Sequence, residues 1–180
     1  MKNIKLKKNK AVYTLGPVGT DAYNIARRIT NNIELCDTFP SALKKAYENN
    51  QYALICCGYL ERKTNYITDS WVDLNFLYFD KMKIIDVFVS NTKTMCVAKN
   101  IKKDFNDIII HPATKYFLKY INFKGEVFYS NNKPEAVYNA AIGKYDACIG
   151  SKDIVEKFST LKIIEEFTPQ MVWCVYESRR

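Results

Sequence analysis

A glycine-containing turn between an apolar strand and an amphipathic helix is the feature that most constrains how this chain folds. The turn, Thr14–Thr20 (TLGPVGT), follows an apolar run that begins at Ala11, and Thr20 stands where a helix N-cap is expected. Helical spacing then sets in, with apolar residues at Ala22, Ile25, Ala26 and Ile29. Such a turn directs backbone N–H groups at one point, which suits a carboxylate or phosphate near Gly19 and Thr20. Any strand-to-helix turn also needs glycine and a cap, so plain turn chemistry explains the same residues equally well.

Strand and helix patterns alternate along the chain and predict an α/β fold with mostly parallel sheets covered on both faces. The alternation breaks near residues 70–98, which indicates a crossing between two lobes. We therefore predict a basic flexible tail over residues 1–10, a first lobe over 11–90 and 165–180, and a second lobe over 91–164. Ligands in such folds bind beyond the carboxyl ends of strands. The residues expected to gather there are Gly16, Gly58, His111, Asn131 and Gly150.

The local patterns also predict individual elements. The expected strands cover residues 11–15, 33–36, 52–57, 74–79, 84–89, 95–98, 108–110, 127–129, 146–150, 161–164 and 172–176. Helices are expected from Asp21, from Phe39 to residue 49, after Pro112, from the cap Asn132 to about residue 143, and from the cap Ser151 to about residue 158.

Charge patterning excludes several classes of protein. The formal net charge is +8, but residues 1–10 hold five lysines and no acid, so the rest of the chain is only mildly basic. Without a continuous basic helix or a recognition module, we expect no nucleic-acid partner. No apolar run reaches the length of a membrane span and none follows the basic start, so we expect neither a membrane contact nor a secretory signal.

Six cysteines without CxxC spacing and a single histidine predict reduced, buried thiols, a cytoplasmic location and no structural zinc site. No feature of the sequence implies a metal or organic cofactor. The cysteines are Cys36, Cys56, Cys57, Cys96, Cys148 and Cys174.

Three segments resemble prephenate dehydratase domains, in the same order along the chain. Thr14–Thr20 is similar to the family's GPxGT opening, residues 109–113 (IIHPA) to its Ser-His-Pro segment, and residues 146–151 (DACIGS) to its Ala-Ala-Ile-Ala-Ser stretch. The resemblance covers residues 11–177. It implies two α/β lobes like those of type II periplasmic binding proteins, with prephenate in an inter-lobe cleft.

Departures from the dehydratase pattern point to a branch of this superfamily. Val172 and Trp173 stand where dehydratases carry the Thr-Arg of Thr-Arg-Phe, and residues 56–59 (CCGY) replace Pro-x-Glu-Asn. Tyr59 and the Met171-x-Trp173 ending resemble the bacilysin-pathway prephenate decarboxylases. The resemblance implies a carbon–carbon lyase that decarboxylates prephenate to dihydro-4-hydroxyphenylpyruvate without aromatising it, in antibiotic or non-proteinogenic amino-acid biosynthesis. It also allows a homodimer.

The implied chemistry nominates two catalytic residues and a set of substrate contacts. His111 or Tyr59 would protonate the ring carbon. Carboxylates would be held by Gly19, Thr20, Arg62, Lys63, Asn131, Asn132 and Lys133, with Lys115 as a further cation. Met171, Val172 and Trp173 would bury the ring edge that loses charge. His111 equally fits a turn cap, Met171 and Trp173 equally fit a core strand, and Arg62 and Lys63 equally fit ordinary surface charge.

Two mismatches keep other functions open. The family's Ser-Thr before the later helix is Asn131-Asn132 here, and Asp21 places a carboxylate at the start of the first helix, where it would repel an anion. A catalytically inactive binder or sensor of a small carboxylate is therefore an alternative. Prephenate dehydratase activity is another, and Val172 argues against it because a valine donates no hydrogen bond.

Overall fold

Two units, each with its own five-stranded sheet, make up the chain. The computed structural model describes residues 6–63 and 66–180, with side chains omitted at residues 62 and 63. The first unit comprises Met1–Thr92 and Gln170–Arg180, and the second comprises Lys93–Pro169.

Strands and helices alternate through the first half of the chain. The elements up to Thr92 are β1 (Val12–Leu15), α1 (Asp21–Ala26), β2 (Ile33–Cys36), α2 (Phe39–Glu48), β3 (Tyr52–Cys56), β4 (Leu60–Lys63), β5 (Tyr66–Ser70), α3 (Trp71–Leu77) and β6 (Met82–Asn91). β4 and β5 form a small antiparallel hairpin, and the other strands join the main sheet of this unit.

The second half repeats this pattern. Its elements are β7 (Met95–Asn100), β8 (Asp107–Ile110), a 3₁₀ helix (Pro112–Ile121), β9 (Glu126–Tyr129), α4 (Lys133–Ala141), β10 (Ala147–Ser151), α5 (Lys152–Val155), β11 (Leu161–Phe167) and β12 (Gln170–Ser178). β11 stays in the second unit because it pairs with β7 over most of its length, and the chain re-enters the first unit only with β12.

The two sheets share one strand order. The first runs β2-β1-β3-β12-β6, and the second, taken from its β9 edge, runs β9-β8-β10-β7-β11. In each sheet only the fourth strand is reversed, since β12 pairs antiparallel with β3 and β6, and β7 does so with β10 and β11. The predicted α/β fold with mostly parallel sheets is therefore confirmed.

The apolar residues of the helices and of the sheets form the cores. In the first unit, Ala22, Ile25 and Ala26 of α1 are buried against the sheet, together with Leu43 of α2. In the second unit, successive side chains of β8 enter two different cores. Ile108 and Ile110 lie in the core that contacts the 3₁₀ helix, and Ile109 lies in the core that α4 covers. The second sheet is thus covered on both faces.

Two local predictions are wrong. Residues 74–79 are not extended, because the Ser70 hydroxyl accepts a hydrogen bond from the Asp73 N–H at 3.3 Å and starts α3, which buries Leu74. The helix after Ser151 ends at Val155 rather than near residue 158, and Ser151 makes no side-chain cap hydrogen bond. Beyond Val155 the backbone tightens into turns with three-residue spacing, such as the bond from the Phe158 N–H to the Val155 carbonyl.

Candidate functional site

The glycine-containing turn ends β1 and starts α1 as predicted. Gly19 has a φ of 92°, which favours glycine, and Thr20 caps the helix. The Thr20 hydroxyl accepts from the Tyr23 N–H at 3.2 Å and donates to the Leu15 carbonyl at 3.1 Å. Its donor is therefore already engaged in holding the turn to the strand.

A shallow pocket lies beside this turn at the carboxyl ends of β1 and β2. Its volume is about 240 Å³, and it is lined by Gly16, Pro17, Leu35, Cys36 and Asp37. Sequence reasoning missed Leu35 and Cys36 as lining residues. Only the register of β1 with β2, which pairs Leu15 with Cys36, brings them next to the turn.

Tyr59 follows β3 and is held at this end of the first sheet by one hydrogen bond and one ring contact. Its hydroxyl donates to Asp69 Oδ2 at 3.4 Å, and its ring meets Phe39 edge-on with centroids 5.4 Å apart. Burial, followed by the carboxylates of Asp69 and Glu61, raises the pKa of Tyr59 to about 12. Tyr59 is therefore held as a neutral phenol.

β12 places two of the nominated residues, Met171 and Val172, beside the turn that follows β3. The Cys57 N–H donates to the Val172 carbonyl at 2.9 Å, and the Met171 side chain packs directly on the Cα of Gly58. Val172 is 41 % exposed. An apolar, solvent-accessible side chain thus lies one strand away from the turn that carries Tyr59.

Trp173 lies in the core instead. It is only 2 % exposed, because β12 is inserted between β3 and β6 and places Trp173 opposite Cys56 and Phe88, which are also buried. Its indole Nε1 has no hydrogen-bond partner among the described residues. A direct substrate contact by Trp173, which the resemblance implied, does not agree with this burial.

Arg62 and Lys63 lie on β4, opposite Ile67 and Tyr66 of β5. Their nomination as cationic contacts depends on their side chains, which lie outside the described part of the structure.

In the second unit, His111 ends β8 and caps the 3₁₀ helix. Its Nδ1 accepts from the Ala113 N–H at 3.2 Å, which assigns the ring proton to Nε2 in the neutral form. Burial, and then the charge of Lys133, lowers the pKa of His111. The imidazole is therefore neutral at physiological pH, with Nε2–H as a hydrogen-bond donor.

The next parallel strand, β9, leads to the polar start of α4. Asn132 Oδ1 accepts from the Glu135 N–H at 2.8 Å, and Glu135 Oε2 accepts from the N–H of Asn131, the residue before the cap, at 3.1 Å, so both side chains satisfy backbone N–H groups at the start of α4. The predicted Asn132 cap is confirmed. Lys133, the first residue of the helix, lies near enough to His111 to affect its pKa. The Ser130 N–H bonds to the Ile110 carbonyl at 3.0 Å and so joins the strand ends that precede His111 and Lys133, and we call these two residues the His111–Lys133 pair.

Lys115 does not join this pair through any interaction in the described structure. It is exposed on the 3₁₀ helix, with its Nζ 5.0 Å from the centroid of the Tyr116 ring.

The described residues contain no group of three or more histidine, cysteine or acidic side chains arranged to hold a metal ion. None of the helices in the described ranges combines the length and the apolar character that crossing a bilayer requires.

Comparisons with known proteins find similarity in structure only. No protein-family model and no curated protein sequence matches the chain. Solved structures do match: a prephenate dehydratase of Staphylococcus aureus has a TM-score of 0.62 at 14 % identity, over 93 % of this chain and 66 % of that one. A prephenate dehydratase of Arthrobacter aurescens in complex with L-Phe has a TM-score of 0.59 at 12 % identity, over 93 % of this chain and 59 % of that one.

An ABC transporter protein of Parabacteroides distasonis is equally similar, with a TM-score of 0.60 at 14 % identity over 95 % of this chain and 66 % of that one. The chain thus spans between 59 % and 66 % of the length of these three proteins. At such low identity the likeness establishes the fold, which prephenate dehydratase domains share with periplasmic-binding-protein-like proteins.

Proposed function

We propose that this chain binds prephenate or a related dicarboxylate and removes the ring carboxylate as carbon dioxide while the ring hydroxyl stays in place. One observation carries the proposal: in a fold shared with prephenate dehydratases, the position that resembles their Thr-Arg-Phe threonine is an exposed valine, Val172. A valine neither donates nor accepts a hydrogen bond, so it gives a leaving hydroxyl no assistance. The expected product is dihydro-4-hydroxyphenylpyruvate.

The reaction breaks one carbon–carbon bond and consumes one proton. The bond between the ring and its carboxylate breaks, and carbon dioxide leaves without the electron pair. That pair enters the ring as part of a new double-bond arrangement, and one ring carbon takes up a proton. The protein must therefore hold the second carboxylate and supply that proton.

Tyr59 is the proton donor in this proposal. Because its pKa is about 12, the phenol stays protonated at neutral pH. It is still a far stronger acid than the ring C–H bond that the proton transfer forms. Asp69 accepts the phenol's one O–H in a long, 3.4 Å hydrogen bond, which the hydroxyl gives up when it delivers its proton to the ring. His111 is not assigned this role, since its lowered pKa leaves the imidazole neutral at physiological pH.

Within the second unit, the His111–Lys133 pair is the group suited to bind a carboxylate. Nε2–H of His111 and the ammonium of Lys133 are both donors, and the ammonium adds a charge opposite to that of a carboxylate. The first unit is less suited, because Thr20 is engaged in capping and Asp21 adds a negative charge at the same turn.

Turnover of prephenate is the direct test. The purified protein is expected to convert prephenate to carbon dioxide and a product that retains the hydroxyl. Mass spectrometry and ultraviolet absorbance follow the reaction, and a sample without enzyme is the control. Tyr59→Phe is expected to lower kcat by roughly 10²–10⁴. Its melting temperature should stay close to that of the wild type, since the 3.4 Å bond to Asp69 that it loses is long.

Each other result of this assay contradicts a defined part of the proposal. Phenylpyruvate above the control would show that Val172 does not prevent loss of the hydroxyl. An unchanged kcat in Tyr59→Phe would remove Tyr59 from the chemistry but leave the decarboxylation standing.

Lys133→Ala should weaken binding of the carboxylate. Loss of one charge-assisted hydrogen bond of about 1.5–3 kcal/mol corresponds to a rise in the prephenate Kd of roughly 10- to 150-fold, measured by calorimetry. Lys115→Ala is the matched control, because it removes the same charge from an exposed position in the same unit. Equal effects of both substitutions would indicate a general charge effect rather than a site at the His111–Lys133 pair.

A second candidate function is binding of a small carboxylate without turnover. His111 favours this candidate. Its Nδ1 accepts the Ala113 N–H, and because its pKa is lowered, the neutral ring offers Nε2–H as a hydrogen-bond donor rather than as an acid. Prephenate that raises the melting temperature but is recovered unchanged would establish this candidate in place of the lyase.

A further inference from the structure

Two cysteine thiols of the first unit are in contact where β3 ends. The Sγ atoms of Cys57 and Cys174 are 3.3 Å apart, although 117 positions separate the two residues in the sequence. Cys57 is held by its N–H bond to the Val172 carbonyl, and Cys174 lies opposite Ile55 on β3. The two cysteines are therefore diagonal neighbours on one face of the β3–β12 pair.

The two thiols differ in access to solvent. Cys57 is partly exposed, whereas Cys174 is 2 % exposed, and both are free. A reagent from solvent therefore meets Cys57 first, with Cys174 directly behind it. A disulfide needs its sulfurs about 2.05 Å apart, so bond formation requires the two atoms to approach by little more than 1 Å and the diagonal backbones to shift with them.

We propose that Cys57 and Cys174 form a reversible disulfide by exchange with a low-molecular-weight disulfide such as glutathione disulfide. The Cys57 thiolate attacks one glutathione sulfur, the glutathione disulfide bond breaks, and the first glutathione leaves as a thiolate. The Cys174 thiolate then attacks the Cys57 sulfur and displaces the second glutathione. The two protons lost by the cysteines end on the two glutathione thiols, so two protein thiols are oxidised and one glutathione disulfide is reduced.

The surroundings of the pair support this order of events. Burial raises the pKa of both thiols, but the hydrogen bond with Cys174 acts in the opposite direction on Cys57, which makes Cys57 the better nucleophile. Cys56 is the nearest competing thiol. Burial leaves Cys56 only 7 % exposed and raises its pKa to about 11, although the Gly58 N–H donated to its Sγ at 3.4 Å acts in the opposite direction, so Cys56 is less accessible to a reagent than Cys57.

The disulfide would tie the turn that carries Tyr59 to β12. Gly58 already packs against Met171 and the Cys57 N–H bonds to the Val172 carbonyl, so the disulfide would add a covalent link to contacts that the reduced protein holds without one. This inference does not depend on the proposed function, because it concerns the covalent state of the chain and is measured without any substrate.

The test is intact-mass and peptide mapping of the full chain equilibrated with a glutathione redox buffer. The wild type is expected to lose two hydrogen atoms without gaining glutathione, and digestion is expected to release a peptide that links Cys57 to Cys174. Cys174→Ser should instead retain one glutathione on Cys57, since no resolving thiol is present. Cys36→Ser is the matched control, because it removes a buried thiol from β2 and should leave the linkage intact.

The linkage must also be reversible, so dithiothreitol should restore the original mass. The proposal is overturned if the wild type shows no reaction, keeps glutathione on Cys57, or links Cys56 to either partner.

Discussion

Replacing Trp173 with alanine is expected to lower the free energy of unfolding of the first unit by about 3–5 kcal/mol. The indole is 2 % exposed and lies on a central strand, between Cys56 on β3 and Phe88 on β6. Its removal leaves a cavity that three hydrogen-bonded strands cannot close by small shifts. Urea denaturation followed by the fluorescence of Trp71, the other tryptophan of the chain, measures the change.

Trp173→Phe is the matched control for this substitution. Since the indole Nε1 has no partner among the described residues, phenylalanine loses volume but no hydrogen bond, and a cost of about 1–2 kcal/mol is expected. A Trp173→Ala protein with unchanged stability and weaker ligand binding would place Trp173 in a ligand site instead of the core.

A chain that ends at Pro169 is expected to lose the fold of its first unit and keep that of its second. β12 pairs with β3 from Trp173 to Glu177 and with β6 from Gln170 to Ser178, so its removal separates β6 from the rest of the sheet. The expected loss approaches the whole stability of a small unit, roughly 5–15 kcal/mol. Hydrogen exchange read by mass spectrometry should show protection lost in β1, β3 and β6 and kept in β7, β8 and β10.

The matched control for the truncation is a chain that ends at Ser178, which keeps all of β12 and lacks only Arg179 and Arg180. Protection of the first unit should survive in this control. If β3 and β6 stayed protected in the shorter chain as well, β12 would be a dispensable addition to the sheet.

Features determined by a few adjacent residues were the ones that sequence reasoning could predict. Thr20 and Asn132 cap their helices because each lies directly before an amphipathic run. The same reasoning failed at α3, where Leu74–Phe79 is apolar at nearly every position and has no clear period; the informative signal was the Ser70-x-x-Asp73 cap just before it.

Features that depend on distant pairing could not be derived locally. The burial of Trp173 follows from the insertion of β12 between two strands of the first half of the chain, and no local pattern contains that information. The same holds for the contact between Cys57 and Cys174. The bond from Tyr59 to Asp69 spans only 10 positions, but it depends on the β4–β5 hairpin, which the sequence analysis did not predict. The proximity of His111 to Lys133 depends on the parallel pairing of β8 with β9.

The position of β12 also sets the order in which the protein can be completed during its synthesis. The second unit is contiguous and can fold as soon as Pro169 has left the ribosome, but the first unit waits for its fourth strand, the last one made. Synthesis of the residues between Thr92 and Gln170 takes the ribosome roughly 4–16 s. During that interval the edges of β3 and β6 that β12 covers in the finished sheet stay unpaired.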